Sequence, residues 1–255
     1  MRMKKQIHSI RTRFAKDIVA EIFFPEKQTG KVAVLAIGAP SGSSKKERLQ
    51  FLTAHGYVAV LPRYRGTWES DGWFLERSPA QDIRDVVSEL EKKKSVIDTL
   101  TGKKFPVKVS AVHLFGGSFG GPAVLLNTDL AIVKKVVTLS PVIDWSVEGE
   151  DEPIHEWIRY SLLGYGGAYR TKHTRDWQKP VKTDFYNPIA HVNKIDGKKV
   201  FILHAKDDTN VPCDPVIPFA TATGASYYLK PHGGHRINFE HGFLWKKIEA
   251  FLKKK

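Results

Sequence analysis

The sequence predicts an α/β protein with a mostly parallel central sheet, helices on both faces and a small helical insertion after the sixth strand. Three observations carry this. Short β-branched apolar runs alternate with amphipathic helical stretches, the pattern of buried strands joined by crossover helices. The 255 residues, 42% hydrophobic and 26% charged, are enough for one sizeable core. No linker-like stretch divides the chain, so a single domain is expected over 1–255, with an insertion, a possible cap, at 145–193 within it.

The elements follow in order. Asp17–Phe24 reads as a strand, and Lys31–Ile37 as a nearly all-apolar one. Both precede any helix, so they are expected to form an antiparallel edge. A helix carries Leu49, Phe51, Leu52 and Ala54 and stops at His55-Gly56. Tyr57–Leu61 is the next buried strand, halted by Pro62. In 80–93, Ile83, Val86, Val87 and Leu90 recur at helical steps, with Ser78 as cap and Pro79 at the first helical position. A strand over Val109–His113 precedes a helix over 122–127, and further strands are expected at Val136–Leu139, Val200–Leu203 and Ala225–Leu229. The segment 145–193 breaks the rhythm. It is rich in Trp, Tyr, His and Gly and contains a helical stretch at 153–163. Its length suits either a structured insertion over a site or an extended crossover. A last helix covers 240–252.

The most informative phrase is Leu114-Phe115-Gly116-Gly117-Ser118-Phe119-Gly120-Gly121. A G-x-S-x-G pattern between strand and helix is the nucleophile elbow, whose tight turn tolerates only small flanking residues and pushes the serine hydroxyl above the sheet. The N–H of Phe119 is then placed to meet an oxyanion. A serine hydroxyl needs a base, and the base an orienting acid, in the chain order Ser, acid, His. Asp208 is the expected acid, in the polar loop after the strand 200–203 and three residues before Val211-Pro212; Asp207 is the alternative, and Asp144 a weaker one that suits a turn. His235 is the expected base, in the loop Pro231-His232-Gly233-Gly234-His235, with His232 as its competitor. The second oxyanion donor is expected from Gly38 or Ala39 in the small-residue loop 38–44. No metal-ligand spacing accompanies Glu240 and His241, and no metal or cofactor is expected.

Forty basic against 27 acidic residues give a net charge of +13. The lysines are scattered in short clusters without a stripe or a nucleic-acid motif, so solvated surface charge is expected and no nucleic-acid partner. No apolar run approaches the ~18 residues of a membrane span. The basic start has no apolar stretch behind it, so no signal peptide is expected. Cys213 is the single cysteine, which suits a reducing compartment and makes the cytoplasm the expected location.

With these residues assembled, the chain resembles the α/β-hydrolase superfamily, and within it is most similar to the catalytic domain of prolyl oligopeptidase-type serine hydrolases. The resemblance runs from about Lys31 to the end. It includes 115–121, then Ser140-Pro141-Val142-Ile143-Asp144-Trp145, the Asp208 loop and the Gly-Gly-His loop. The stretch Arg63-Tyr64-Arg65-Gly66-Thr67-Trp68-Glu69-Ser70-Asp71-Gly72 also looks like the R-G-x-x-x-S-x-G loop of Xaa-Pro dipeptidyl peptidase and cocaine-esterase-like hydrolases. The departures are specific. There is no room for the β-propeller of the larger oligopeptidases, and no pair of glutamates matches the one that holds a peptide amino terminus in dipeptidyl peptidases. Ile37 stands where some members carry an oxyanion-hole tyrosine.

The expected reaction is acyl transfer to water on a small ester or a short peptide, through an acyl-enzyme on Ser118. A carboxylesterase is favoured over an oligopeptidase- or aminopeptidase-like activity, and a non-catalytic binding protein of the same fold is the rival from another class. Trp68 and Trp145 are candidate substrate-pocket residues, with core packing as the alternative. Arg65 is a candidate for a substrate carboxylate, with loop salt bridges as the alternative.

Overall fold

The computed structural model describes residues 8–40, 45–240 and 242–254. The basic start 1–7, residues 41–44 of the expected oxyanion loop and His241 lie outside the described residues. Strands β1 (His8–Phe14) and β2 (Ile18–Phe24) are followed by β3 (Lys31–Ala36), α1 (Lys46–Ala54), β4 (Val58–Pro62) and α2 (Pro79–Lys92). A small hairpin, β5 (Ser95–Ile97) with β6 (Lys104–Pro106), leads to β7 (Ala111–Gly117), α3 (Gly120–Leu125) and β8 (Val133–Leu139). The segment at 145–193 contains α4 (Ile154–Gly164), short 3-10 turns and α5 (Lys179–Lys182). The chain then completes β9 (Val200–Ala205), α6 (Val216–Thr223), β10 (Ser226–Lys230) and α7 (Gly242–Lys253).

Eight strands form one sheet in the order β1-β2-β4-β3-β7-β8-β9-β10. The pairs β1–β2 and β2–β4 are antiparallel and the remaining pairs parallel. Helices cover both faces. In one layer Phe51 of α1 meets Trp245 of α7 edge-on, with ring centroids 4.9 Å apart. In another, Asn127 at the end of α3 donates to the carbonyl of Ala80 in α2 at 2.8 Å. The helix α2 starts where the sequence predicts, with Ser78 accepting from the Ala80 N–H and Pro79 inside the first turn.

Two expectations about the sheet edge are corrected. Lys31–Ala36 is not an edge strand: β3 lies between β4 and β7, parallel to both, and its residues from Val32 to Ala36 are buried. The antiparallel edge is made instead by β1 and β2. In β1 the alternation is plain once seen, with Ile10, Thr12 and Phe14 buried. What hides it is the turn. Ala15 (φ 47°) and Lys16 (φ 68°) adopt left-handed conformations usually given to Gly or Asn, so the sequence carries no hairpin signal there.

Because β9 and β10 run parallel beside β8, the loops after β7, β9 and β10 emerge at one end of the sheet. The insertion follows β8, the sixth strand of this sheet, and its residues pack onto the same end. Trp157 of α4 donates to the Ala39 carbonyl at 2.7 Å, and the Tyr186 hydroxyl donates to the Phe119 carbonyl at 2.6 Å. Among the described residues no helix is long and apolar enough to cross a membrane.

Candidate active site

Ser118 stands at the turn between β7 and α3 with φ 50°, a left-handed value that costs a non-glycine residue roughly 1–2 kcal/mol. The turn is held in place from several sides. The Ser118 N–H donates to the carbonyls of Leu139 (3.0 Å) and Ser140 (3.1 Å), and its carbonyl accepts from Gly121 (2.9 Å) and Val142 (3.2 Å). Gly120 is required by close approach: a Cβ there would strike the backbone of Ala36 and Ile37. Phe119 is clamped among Tyr64, Phe74, Trp145, Trp157 and Tyr186, with ring centroids 4.9–5.9 Å away. Trp145, which reads as pocket or core in the sequence, does both: it packs on the residue after the serine and, with Trp157, faces the pocket.

Asp208 and His235 come together from loops after β9 and β10. His235 Nδ1 lies 3.0 Å from Asp208 Oδ2 and 3.2 Å from Oδ1. The Asp208 side chain is fully buried, while His235 is 21% exposed. Oδ1 of Asp208 also accepts from the backbone N–H groups of Asn210 (3.1 Å) and Val211 (3.0 Å). Asp207 points elsewhere, accepting from the N–H groups of Gly233 (3.0 Å) and Gly234 (2.9 Å), and so tethers the loop that carries His235. His232 is 89% exposed and lies beside Asp207, not Asp208. Asp144 closes a turn onto Ser146. Among the described residues neither the Ser118 hydroxyl nor His235 Nε2 has a hydrogen-bond partner, so the two are not bonded to each other.

A pocket open to solvent on one side has Ser118, Phe119 and Ala39 on its wall. Its apolar lining comes from Val142, Trp145, Val147, Ile154 and Trp157, and the acid loop contributes Asn210 and Val211. Gly38 packs beside the serine: a Cβ added to it would lie 3.6 Å from Ser118 Cβ. The carbonyls of Ile37 and Ala39 are tied down by Tyr64 (2.8 Å) and Trp157 (2.7 Å), which orients the loop that bears both candidate donors. Trp68 and Arg65 are outside the pocket lining. Trp68 packs edge-on against Tyr165, and Arg65 directs its guanidinium at Asp17, Asp82 and Asp85.

This arrangement has relatives. The family model described as the prolyl oligopeptidase family matches residues 43–238. The chain belongs to the prolyl oligopeptidase family. That makes it a member of a serine hydrolase family with the α/β-hydrolase fold. Among solved structures it is similar to the Pyrococcus furiosus esterase Pf2001, at 16% identity and TM-score 0.66, over 97% of this chain and 90% of that one. It is also similar to the Pyrococcus horikoshii acylaminoacyl peptidase, at 16% identity and TM-score 0.64, over 99% of this chain but 42% of that one. The α/β hydrolase GrgF from Penicillium sp. sh18 matches at 14% identity and TM-score 0.67, over 97% and 98%. At these identities the likeness is one of fold. No curated protein matches the chain.

Two features of this family member escaped the sequence reading. Glu148 and Glu152 are the charged groups of the pocket lining. Burial pushes Glu152 above the ordinary carboxylate range, partly offset by its nearness to His235 and Asn210. The five-residue run Glu148-Gly149-Glu150-Asp151-Glu152, four of them acidic in a basic chain, was the available signal. The second is His204, a histidine inside the buried strand β9. Its Nε2 lies 3.1 Å from Asp208 Oδ2 and 2.8 Å from the Val211 carbonyl. Burial by itself would push Asp208 up. The hydrogen bonds from His204 and His235, with that from the Val211 N–H, outweigh it and hold the carboxyl far below its usual range.

Proposed function

We propose that this chain is a serine hydrolase that cleaves a small carboxylic ester, with Ser118 as nucleophile, His235 as general base and Asp208 as the acid that orients it. The observation that carries the reading is a serine with left-handed backbone on the wall of an apolar pocket, with Asp208, on the loop that supplies Asn210 and Val211 to the same wall, paired to His235. Asp208 holds Nδ1, which leaves Nε2 to take the serine proton. The Ser118–His235 bond that this step needs is not formed here; such bonds commonly tighten only in the substrate complex. The N–H groups of Phe119 and of Gly38 or Ala39 would stabilise the tetrahedral oxyanion, each at roughly 3 kcal/mol. Water then releases the acyl group by the same route in reverse.

The pocket supports an ester with a compact acyl group. Its apolar lining suits a compact apolar moiety, and the carboxylates of Glu148 and Glu152 disfavour an anionic one. The segment 145–193 serves as a cap, because Trp145, Val147, Ile154 and Trp157 form one side of that pocket. Family membership favours a second reading, cleavage of short peptides. The test is a panel of p-nitrophenyl esters and aminoacyl p-nitroanilides with the purified chain and Ser118→Ala. Short acyl esters should be cleaved fastest, and S118A should lose at least ~10³-fold on every substrate while keeping its melting temperature. Esterase turnover that survives S118A would overturn the reading; anilides cleaved faster than esters would replace ester by peptide.

A further inference from the structure

The buried histidine behind Asp208 has no place in a three-residue account. His204 is fully buried on β9, four residues before the acid. A buried imidazole needs a use for both nitrogens or carries an unmet polar group. Here one nitrogen, Nδ1, is buried without any partner. The other is shared between the Asp208 carboxylate (3.1 Å) and the Val211 carbonyl (2.8 Å). Both of those atoms are pure acceptors, so Nε2 must carry the hydrogen. The ring is therefore a donor, held in one tautomer by the two acceptors in front of it, and its unsatisfied nitrogen is the cost of that placement.

We propose that His204 is a positioning residue for the reaction: its Nε2–H fixes the Asp208 carboxylate and closes the 208–211 turn, so that Asp208 presents Oδ2 to His235 in one orientation. This rests on the assignment of Asp208 and His235 given above. The Val211 carbonyl and N–H are on opposite sides of one exchange. The N–H of Val211 donates to Oδ1, while its carbonyl accepts from the same ring that bonds Oδ2. The carboxylate, the turn and the ring thus lock one another. Three sets of donors then converge on Asp208: the two backbone N–H groups, His204 and His235.

The consequence is chemical as well as geometric. Each donor spreads the negative charge of Asp208 and weakens its pull on a protonated His235. Without His204 the carboxylate becomes more basic, binds the imidazolium more tightly and is less well aimed. The acid limb of the pH–kcat/KM profile, which reports the free enzyme's base, should therefore move to higher pH. The other ionisable groups around the pair include Asp207, which tethers the His235 loop, His232 beside it, Glu152 from the 145–193 segment, which faces both His235 and Asp208, and Cys213, Asp214 and Lys206 flanking the acid loop. None of these is altered by a change at 204.

The experiment compares wild type, His204→Phe, His204→Gln and Asp208→Asn, with kcat expressed per active site titrated by a fluorophosphonate. H204F keeps an aromatic ring at this position but removes the donor. It should shift the acid limb up by about 0.5–1 pH unit and lower kcat roughly 10- to 100-fold. H204Q offers an amide N–H at a similar reach and should restore most of both. An acid limb and a per-site kcat unchanged in H204F, with only the melting temperature lowered, would reduce His204 to packing and overturn the proposal. A second measurement needs no variant: in the 15N-labelled wild type at pH 7.5, two-bond imidazole correlations should find His204 protonated on Nε2. A proton on Nδ1 instead would overturn the proposal even if H204F does not fold. If D208N keeps the wild-type rate and profile, the triad assignment itself has failed, an outcome distinct from either of these.

Discussion

Asp208 and Asp82 are both buried carboxylates with basic partners, yet their surroundings push them in opposite directions. Asp208, after β9, is held far below the ordinary range because imidazoles and fixed backbone N–H groups outnumber the cost of burial. Asp82, in the first turn of α2, is pushed up to about 6 by burial, even though the Arg65 N–H and guanidinium both reach it. Arg65 is divided among Asp17, Asp82 and Asp85; burial works against its charge, and those carboxylates outweigh it and hold the guanidinium above its ordinary value. The difference lies in what surrounds the anion. At Asp208 each carboxylate oxygen meets at least two donors, from backbone N–H groups and imidazoles. At Asp82 one shared cation serves three carboxylates, and desolvation dominates. The first arrangement keeps an anion ready beside a histidine; the second ties the loop after β4 to α2 and to the β1–β2 turn.

Neutralising each carboxylate in turn sharpens this contrast. The largest effect is expected for Asp208→Asn. Loss of the anion leaves the imidazolium of His235 without its counter-charge and removes control of the tautomer, so kcat should fall by about 10⁴-fold, the usual effect of taking the orienting acid from a serine triad. Steady-state hydrolysis of a p-nitrophenyl ester measures it, and a loss of less than tenfold would break the comparison. The neighbouring Asp207→Asn is a smaller perturbation. Asp207 holds the Gly233 and Gly234 N–H groups and so the path of the His235 loop. Its amide analogue should weaken that tether and cost about tenfold in kcat, near the net worth of one hydrogen bond.

Asp82→Asn is the smallest in activity, within about twofold, and its signature is in stability. The folded-state value of about 6 lies above the unfolded value of about 4. The folded protein therefore binds this proton more tightly, and the stability that Asp82 contributes is present below about pH 4 and lost as pH rises through about 6. The asparagine variant lacks that loss. The melting-temperature difference between wild type and D82N should therefore shrink from pH 4 to pH 7. A difference that grows over the same range would mean that the ion pair with Arg65 outweighs desolvation.

The parts of this molecule legible in its sequence are those where chemistry demands a local pattern. Ser118 is announced by the glycines that its turn requires, Asp208 by a polar loop directly after an apolar strand, and His235 by a glycine-containing loop after the last strand. What was hidden depends on neighbours far apart in the chain. The placement of β3 inside the sheet follows from its pairing with β7, some 80 residues on. Arg65 reads as a site for a substrate carboxylate or as a loop salt bridge with unnamed partners, until α2 brings Asp82 and Asp85 against it. The turn at Ala15-Lys16 conceals β1 because its residues do not advertise their backbone angles. His204 lies between these cases: a histidine within an otherwise apolar buried strand, four residues before an aspartate, is a signal that periodicity alone does not read.

The central claim is that Asp208 and His235 activate Ser118, and covalent labelling tests it most directly. Wild type, Asp207→Asn and Asp208→Asn would be exposed to a fluorophosphonate at pH 8, with the modified residue located by mass spectrometry and the rate followed in time. The account predicts a single adduct on Ser118, slowed by no more than about tenfold in D207N and by at least ~10³-fold in D208N. An adduct on another residue, or a Ser118 rate indifferent to the charge at position 208, would contradict it.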